Sequence, residues 1–275
     1  MYKVLEKRFL NPTVARMVVK APRIANKAGA GQFIIIRVNE TGERIPLTIS
    51  DFSAAEGTIT LVFQTIGKTT MLLSSLSPGE SIQDIVGPLG RKSDIAGIGR
   101  ACVVGGGVGC AITYPLARAL SQNGAQIDVI SGFRDSGLVI LSDEFGALAD
   151  NYYLLTDDGS AGERGFVTQR LSALLEAGTQ YDAVFTVGPL PMMKAVAAVT
   201  KPFGIHTVCS MNSIMIDGTG MCGCCRVTVG GEMKFACIDG PEFDAHAVDF
   251  DGAIQRGQIY KKREEHDCNL FRGVV

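Results

Sequence analysis

The segment Arg100-Ala-Cys-Val-Val104-Gly105-Gly106-Gly107-Val-Gly109-Cys-Ala111 decides how the chain is read. An apolar run of strand length leads into a glycine-rich loop, and residues 111–122 continue with a helical pattern. Glycines without a Cβ let backbone N–H groups approach a phosphate, and the following helix adds the positive end of its dipole. In isolation such a run also serves tight strand–helix packing with no ligand. Here the flanking strand and helix provide the context that a pyrophosphate-binding loop requires, so Gly105, Gly106, Gly107 and Gly109 are candidate nucleotide contacts.

Downstream, apolar strand patterns at 127–132, 152–156, 183–187 and 205–211 alternate with helical patterns at 142–148, 167–176 and 191–199. The alternation predicts a doubly wound parallel sheet over residues 98–209. Its third strand ends in Thr156-Asp157-Asp158-Gly159-Ser160, and carboxyl ends of parallel strands are where ligands bind, which makes Asp157 a candidate contact. A plain polar loop explains the same residues.

Upstream, residues 1–97 alternate apolar and polar over 3–9, 14–20, 32–38, 44–50, 58–64 and 81–86, with turn-rich stretches between. The pattern predicts a small antiparallel β barrel of about six strands. One helix is expected there, over 69–76, opened by Gly67-Lys-Thr69-Thr70. Threonine hydroxyls at that end cap free N–H groups, and the helix terminus offers a seat for a phosphate.

The third segment, residues 210–275, carries Asp217-Gly-Thr-Gly-Met-Cys222-Gly-Cys224-Cys225 and, further on, Cys237. Plant-type [2Fe–2S] sites use C-x4-C-x2-C with a distant fourth cysteine, and here Asp217 stands at the first position. Gly218, Gly220 and Gly223 allow a tight loop with N–H groups aimed at inorganic sulfur. A structural zinc ion held by Cys222, Cys224, Cys225 and Cys237 is the competing reading, and it would use Cys224. Short strands are expected at 226–229 and 234–237, followed by a charged tail from Tyr260 to Cys268.

A chain of 275 residues, 46% hydrophobic, is long enough for two or three domains with real cores. The net charge of −2 without a basic stripe argues against nucleic acid or an anionic membrane as partner. The most apolar stretch, 101–120, is interrupted by glycines, Pro115 and Arg118, so it reads as strand, loop and helix rather than a membrane span. Residues 1–8 carry charges where a signal peptide would be apolar, and eight cysteines then read as reduced thiols or metal ligands in the cytoplasm. Cys102, Cys110, Cys209 and Cys268 read as small apolar residues. Met192, Met193, Met211, Met215 and Met221 read as packing or subunit contacts, and His206, His246 and His266 lack metal-ligand spacing.

Several phrases occur together and in order: Arg44-Ile-Pro46-Leu47-Thr48-Ile49, Gly87-Pro-Leu-Gly90, the Gly105–Gly109 loop, Thr156–Ser160, Gly188-Pro189 and the Asp217–Cys237 cluster. The series resembles the ferredoxin–NADP reductase superfamily, and within it the electron-transfer subunits of dihydroorotate dehydrogenase type. The phrase Asp217-Gly-Thr-Gly-Met-Cys-Gly looks most like the small subunits of NADH-dependent reduced ferredoxin:NADP oxidoreductases, also described as sulfide dehydrogenase subunits.

The resemblance implies a ferredoxin-reductase-like antiparallel FAD barrel, a parallel domain binding NAD(H), and a small C-terminal [2Fe–2S] module. It places Pro46, Leu47 and Thr48 along the flavin, Gly67, Thr69 and Thr70 at the FAD pyrophosphate, Arg44 and Gln64 as further flavin contacts, and Gly188 at the nucleotide. It makes Asp217, Cys222, Cys225 and Cys237 the cluster ligands, and a larger flavoprotein or iron–sulfur subunit the partner. Two departures stand out. Arg44 lies four residues before Thr48 instead of three, and Leu47 replaces a tyrosine that would stack on the flavin. Phe133-Arg134-Asp135 offers both an acid for ribose hydroxyls and an arginine for a 2′-phosphate; the resemblance favours NAD.

The expected function is electron transfer between NAD(H), FAD, the cluster and the larger subunit, with no general acid or base, as in electron-bifurcating ferredoxin:NADP oxidoreductases. The alternatives are an electron-transfer subunit of NAD-dependent dihydroorotate dehydrogenase and, from another class, a zinc-stabilised nucleotide-binding regulatory protein.

Overall fold

A computed structural model describes residues 1–273. The first layer is built from β1 (Tyr2–Asn11), β2 (Val14–Lys20), α1 (Pro22–Ala25), β3 (Phe33–Arg37), β4 (Arg44–Ser53), β5 (Thr58–Gln64), α2 (Lys68–Ser75), β6 (Ser81–Ile82) and β7 (Asp84–Leu89). All pairings are antiparallel, in the order β6-β1-β2-β5-β4-β3-β7. The expected strand at 81–86 is one extended run broken at Gln83: its first part pairs with β1 and its second with β3. That break brings the two ends of the sheet together and nearly closes the barrel. Inside lie Val4, Met17, Val19, Ile34, Ile36, Ile49, Ile59 and Leu61, the inward halves of the alternating runs.

The second layer comprises β8 (Arg100–Gly106), α3 (Gly109–Gln122), β9 (Gln126–Phe133), α4 (Ser142–Leu148), β10 (Asn151–Thr156), β11 (Glu163–Arg164), α5 (Val167–Glu176), β12 (Ala183–Val187), α6 (Leu190–Thr200) and β13 (His206–Ser210). The parallel strands run β11-β10-β9-β8-β12-β13. Chain order reverses between β8 and β12, which defines the switch point of a doubly wound sheet. Strand β8 shows why both faces are covered: Ala101 and Val103 pack under α3 and α4, while Cys102 and Val104 pack under α5 and α6. The barrel docks on the first of these faces, with Val14 and Val62 in the core of α3 and Arg118 of α3 paired to Asp51 of β4 at 2.6 Å.

The C-terminal segment adds the hairpin β14 (Arg226–Val229) and β15 (Glu232–Phe235), then β16 (Glu242–Asp244), α7 (Phe250–Gly257) and α8 (Lys261–Arg272). Strand β16 pairs antiparallel with β13 and extends the nucleotide-domain sheet by one strand. Three residues flanked by glycine, proline and acids carry too little periodicity to be read as a strand from sequence. The charged tail forms α8, which packs against α2. Among the described residues no helix is long and apolar enough to cross a membrane.

Candidate redox site

A cavity of about 1000 Å³ opens between the barrel and the parallel sheet at the switch point. From the barrel come Pro46, Leu47 and Thr48 of β4, Gln64 at the end of β5, and Thr70 of α2. From the sheet come Gly106, Gly107, Gly109, Asp157 and Gly188, so ten sequence-predicted contacts meet in one space. The first turn of α3 lines it and has no side-chain cap, leaving helix N–H groups for an anionic ligand.

The glycines are demanded by close approach. A Cβ on Gly109 would lie 2.3 Å from the carbonyl oxygen of Val187, while one on Gly107, at φ +57°, would project into open space. Gly105 lies outside the lining and carries Cys110 against it. Burial pushes the Cys110 thiol up to about 12, in keeping with a packing role.

Three barrel candidates also lie outside the lining. Arg44 is exposed at the start of β4. Gly67 takes part in the cap of α2, its N–H donating to Thr70 Oγ1 at 3.0 Å. Thr69 is buried and donates to Glu43 Oε2 at 3.1 Å.

Further lining residues carried no sequence signal of their own. Phe33 sits in a strand whose other residues up to Ile36 are all isoleucine, and Met211 and Met215 read as packing or subunit contacts. Asn11 donates through Nδ2 to the Leu138 carbonyl at 3.0 Å, bridging barrel and sheet across the cavity. At the end of β9 the ambiguous pair separates: Asp135 accepts from the Gly137 N–H at 2.9 Å, whereas Arg134 lines the cavity.

The cysteine segment lies against the inner wall of this cavity. Cys225 and Cys237 are buried in one small core with Phe33, Ile35, Met215 and Ala236. Phe33 and Met215 therefore touch the cavity on one side and the cysteine pair on the other. Burial pushes the Cys237 thiol up to about 12. Gly218, Gly220 and Gly223 all have φ between +67° and +88°, and a Cβ on Gly218 would meet Leu89 Cδ1 at 2.7 Å, so the loop lies directly on the barrel. Cys222 is exposed at the loop tip, and its N–H donates to Asp217 Oδ2 at 2.7 Å. Asp217 Oδ1 also accepts from the Thr219 N–H; these donors, the Thr219 amide foremost, hold its carboxyl down at about 2. Cys224 is partly exposed, and its thiol donates to the Cys222 carbonyl at 3.9 Å.

A barrel and a doubly wound sheet sharing one cavity define a ferredoxin-reductase-like protein with an appended cysteine segment. The solved phthalate dioxygenase reductase has this fold: TM-score 0.62, 14% identity, covering 83% of this chain and 85% of that one. Residues 212–249 match the iron–sulfur cluster binding domain of dihydroorotate dehydrogenase B. The chain is 44% identical to a dihydroorotate dehydrogenase B (NAD(+)) electron transfer subunit homolog of Thermotoga maritima, over 92% of this chain and 89% of that protein. It is 40% identical to a chain in the structure of NADH-dependent reduced ferredoxin-NADP oxidoreductase, studied for flavin-based electron bifurcation, with a TM-score of 0.93 and 98% coverage of each. The chain belongs to the family of dihydroorotate dehydrogenase B electron-transfer subunits.

Proposed function

We infer that this chain is the electron-transfer subunit of a heteromeric flavin and iron–sulfur oxidoreductase, of the kind represented by electron-bifurcating NADH-dependent ferredoxin:NADP oxidoreductase. The observation that carries it is the shared wall: Phe33 and Met215 line both the cavity and the core around Cys225 and Cys237. FAD held in this cavity would supply the chemistry that joins two-electron exchange with NAD(H) to one-electron exchange with a [2Fe–2S] cluster.

The chain's own residues bind, orient and exclude water. The Gly106–Gly109 turn and the start of α3 present N–H groups to a dinucleotide pyrophosphate, with Gly188 facing them across the switch point and Asp157 lining the same cavity from the end of β10. Pro46, Leu47 and Thr48 form the barrel wall of the flavin site, with no aromatic ring where Leu47 stands. Asp217, Cys222, Cys225 and Cys237 are the cluster ligands in this reading. Among the described residues no three His, Cys, Asp or Glu side chains converge as they would around one ion. The Cys225–Cys237 pair suits one iron of a binuclear cluster, and the family match over 212–249 also favours it over zinc.

A larger catalytic subunit completes the enzyme, and eight cysteines free of disulfides suit a reducing cytoplasm. The names of several relatives favour a second reading, in which that partner oxidises dihydroorotate. Anaerobic purification with the partner tests both. The expected result is a flavin band near 450 nm, iron and sulfide in equal amounts, bleaching by NADH, and a large subunit that reduces NADP with ferredoxin. A colourless zinc protein overturns the first reading, and dihydroorotate turnover by the co-purified complex establishes the second.

A further inference from the structure

Two arginines grip the loop between Cys222 and Cys225. Arg226 Nη1 donates to the Gly223 carbonyl at 3.2 Å, and Arg256 Nη2 donates to the Cys224 carbonyl at 3.2 Å. They come from different elements: Arg226 opens β14, and Arg256 lies in the last turn of α7. Helix α7 is itself fixed. Phe250 and Ala253 pack with Met193 and Ala197 of α6, and Lys194 of α6 pairs with Asp251 at 2.7 Å. The Arg256 backbone therefore holds its position independently of the loop.

In a trans peptide the carbonyl and the N–H of one unit point in opposite directions. Drawing the Gly223 and Cys224 carbonyls toward guanidinium groups turns the N–H groups of Cys224 and Cys225 away from them. Neither N–H meets an acceptor among the described residues, although Cys225 is 2% exposed. Buried donors without partners are costly and rare, and cluster sulfurs are acceptors of the kind they lack.

We propose that Arg226 and Arg256 are positioning residues for the iron–sulfur cluster: they fix the Cys222–Cys225 loop by its carbonyl oxygens, direct its N–H groups to the cluster, and favour the reduced cluster with their positive charge. The inference rests on Asp217, Cys222, Cys225 and Cys237 holding a [2Fe–2S] cluster. Hydrogen bonds to cluster sulfur and nearby charge set cluster potentials, so the effect belongs in the potential rather than in turnover alone.

The test uses the full chain, with its partner subunit where they co-purify, in Arg226→Gln, Arg256→Gln and Arg256→Lys forms. Iron and acid-labile sulfide are counted first, and the cluster is then titrated against a solution potential by electron paramagnetic resonance. Each Gln variant is expected to keep its iron but to hold a reduced-to-oxidised ratio several-fold lower at a fixed potential, with a changed resonance line shape. Arg256→Lys, which retains charge and a donor, is expected to recover most of the ratio. If Arg256→Gln loses its iron, Arg226→Gln decides by the same ratio and line shape: a lowered ratio supports the inference, and identity with the parent overturns it. Parent-like ratios and line shapes in both Gln variants also overturn it. A parent chain without iron would instead sink the cluster assignment itself.

Discussion

The Sγ atoms of Cys225 and Cys237 lie 3.2 Å apart, and the Cys237 N–H donates to Cys225 Sγ at 3.4 Å. The β14–β15 register explains the approach. Arg226 pairs with Phe235, so the two cysteines flank the open end of the hairpin. Replacing either by serine removes a buried thiolate donor from a small shared core. Cys225→Ser and Cys237→Ser are each expected to yield protein without iron that still carries flavin, because the barrel and sheet cores lie elsewhere. Metal analysis beside the 450 nm band checks this. Asp217→Cys is expected to keep the iron while changing both the potential and the resonance signal, since thiolate is a softer ligand than carboxylate.

Gly107 and Gly109 separate folding from binding within one loop. A methyl group on Gly109 meets the Val187 backbone at 2.3 Å, and strand β12 cannot yield cheaply. Gly109→Ala is expected to cost about 2–3 kcal/mol and lower Tm by several degrees. Gly107→Ala meets no atom within 4 Å but must hold φ +57°, at a cost of about 1 kcal/mol. Because that position lines the cavity, its larger effect is expected on NADH affinity, read by titration beside thermal unfolding.

Long periodic elements were legible in the sequence. Helices α4 and α5 and strands β2, β5, β12 and β14 begin and end where their patterns do, because each buries one face or lies wholly in a core. The glycine loop and the cysteine spacing were legible because they need particular residue types. What was not legible depends on contacts distant in sequence. The break at Gln83 follows from barrel closure, and β16 forms because β13 offers a free edge. Phe33 and Met215 become site residues through the docking of the cluster loop on the barrel. Thr69 shows the opposite case, for its hydroxyl satisfies Glu43 where a phosphate seat was expected.

Arg134 and Asp135 share a strand end but not a role. The Asp135 carboxylate is engaged by the Gly137 N–H, whereas the Arg134 side chain lines the cavity and has no hydrogen-bond or ion-pair partner among the described residues. Arg134→Ala is expected to weaken NADH binding roughly tenfold, the loss of one charge-assisted contact. Asp135→Asn keeps the acceptor oxygen and is expected to change affinity less than twofold. Stopped-flow reduction at varied NADH resolves the two, and equal losses would show that the carboxylate binds nucleotide after all.

Glu242 links the barrel's exit to the sheet edge, and its carboxyl gives the fold a pH dependence of unusual sign. Ser93 Oγ donates to Glu242 Oε1 at 2.8 Å, and that oxygen sits 3.0 Å from where a Cβ on Gly31 would stand. Removal from water raises the carboxyl to about 7 and the Ser93 hydroxyl offsets only part of this. A raised carboxylate binds its proton more tightly in the folded chain than in the unfolded one. Its contribution is therefore full below about pH 4.5, declines as pH rises toward 7, and is flat above. Residue 242 keeps some solvent exposure, so the expected span is about 1–2 kcal/mol rather than the full shift. Glu242→Gln cannot ionise and still accepts from Ser93, so it is expected to be more stable than the parent at pH 8 and about equal at pH 4.5. Urea unfolding at the two pH values measures this directly; the same difference at both would mean that packing, not ionisation, governs the position.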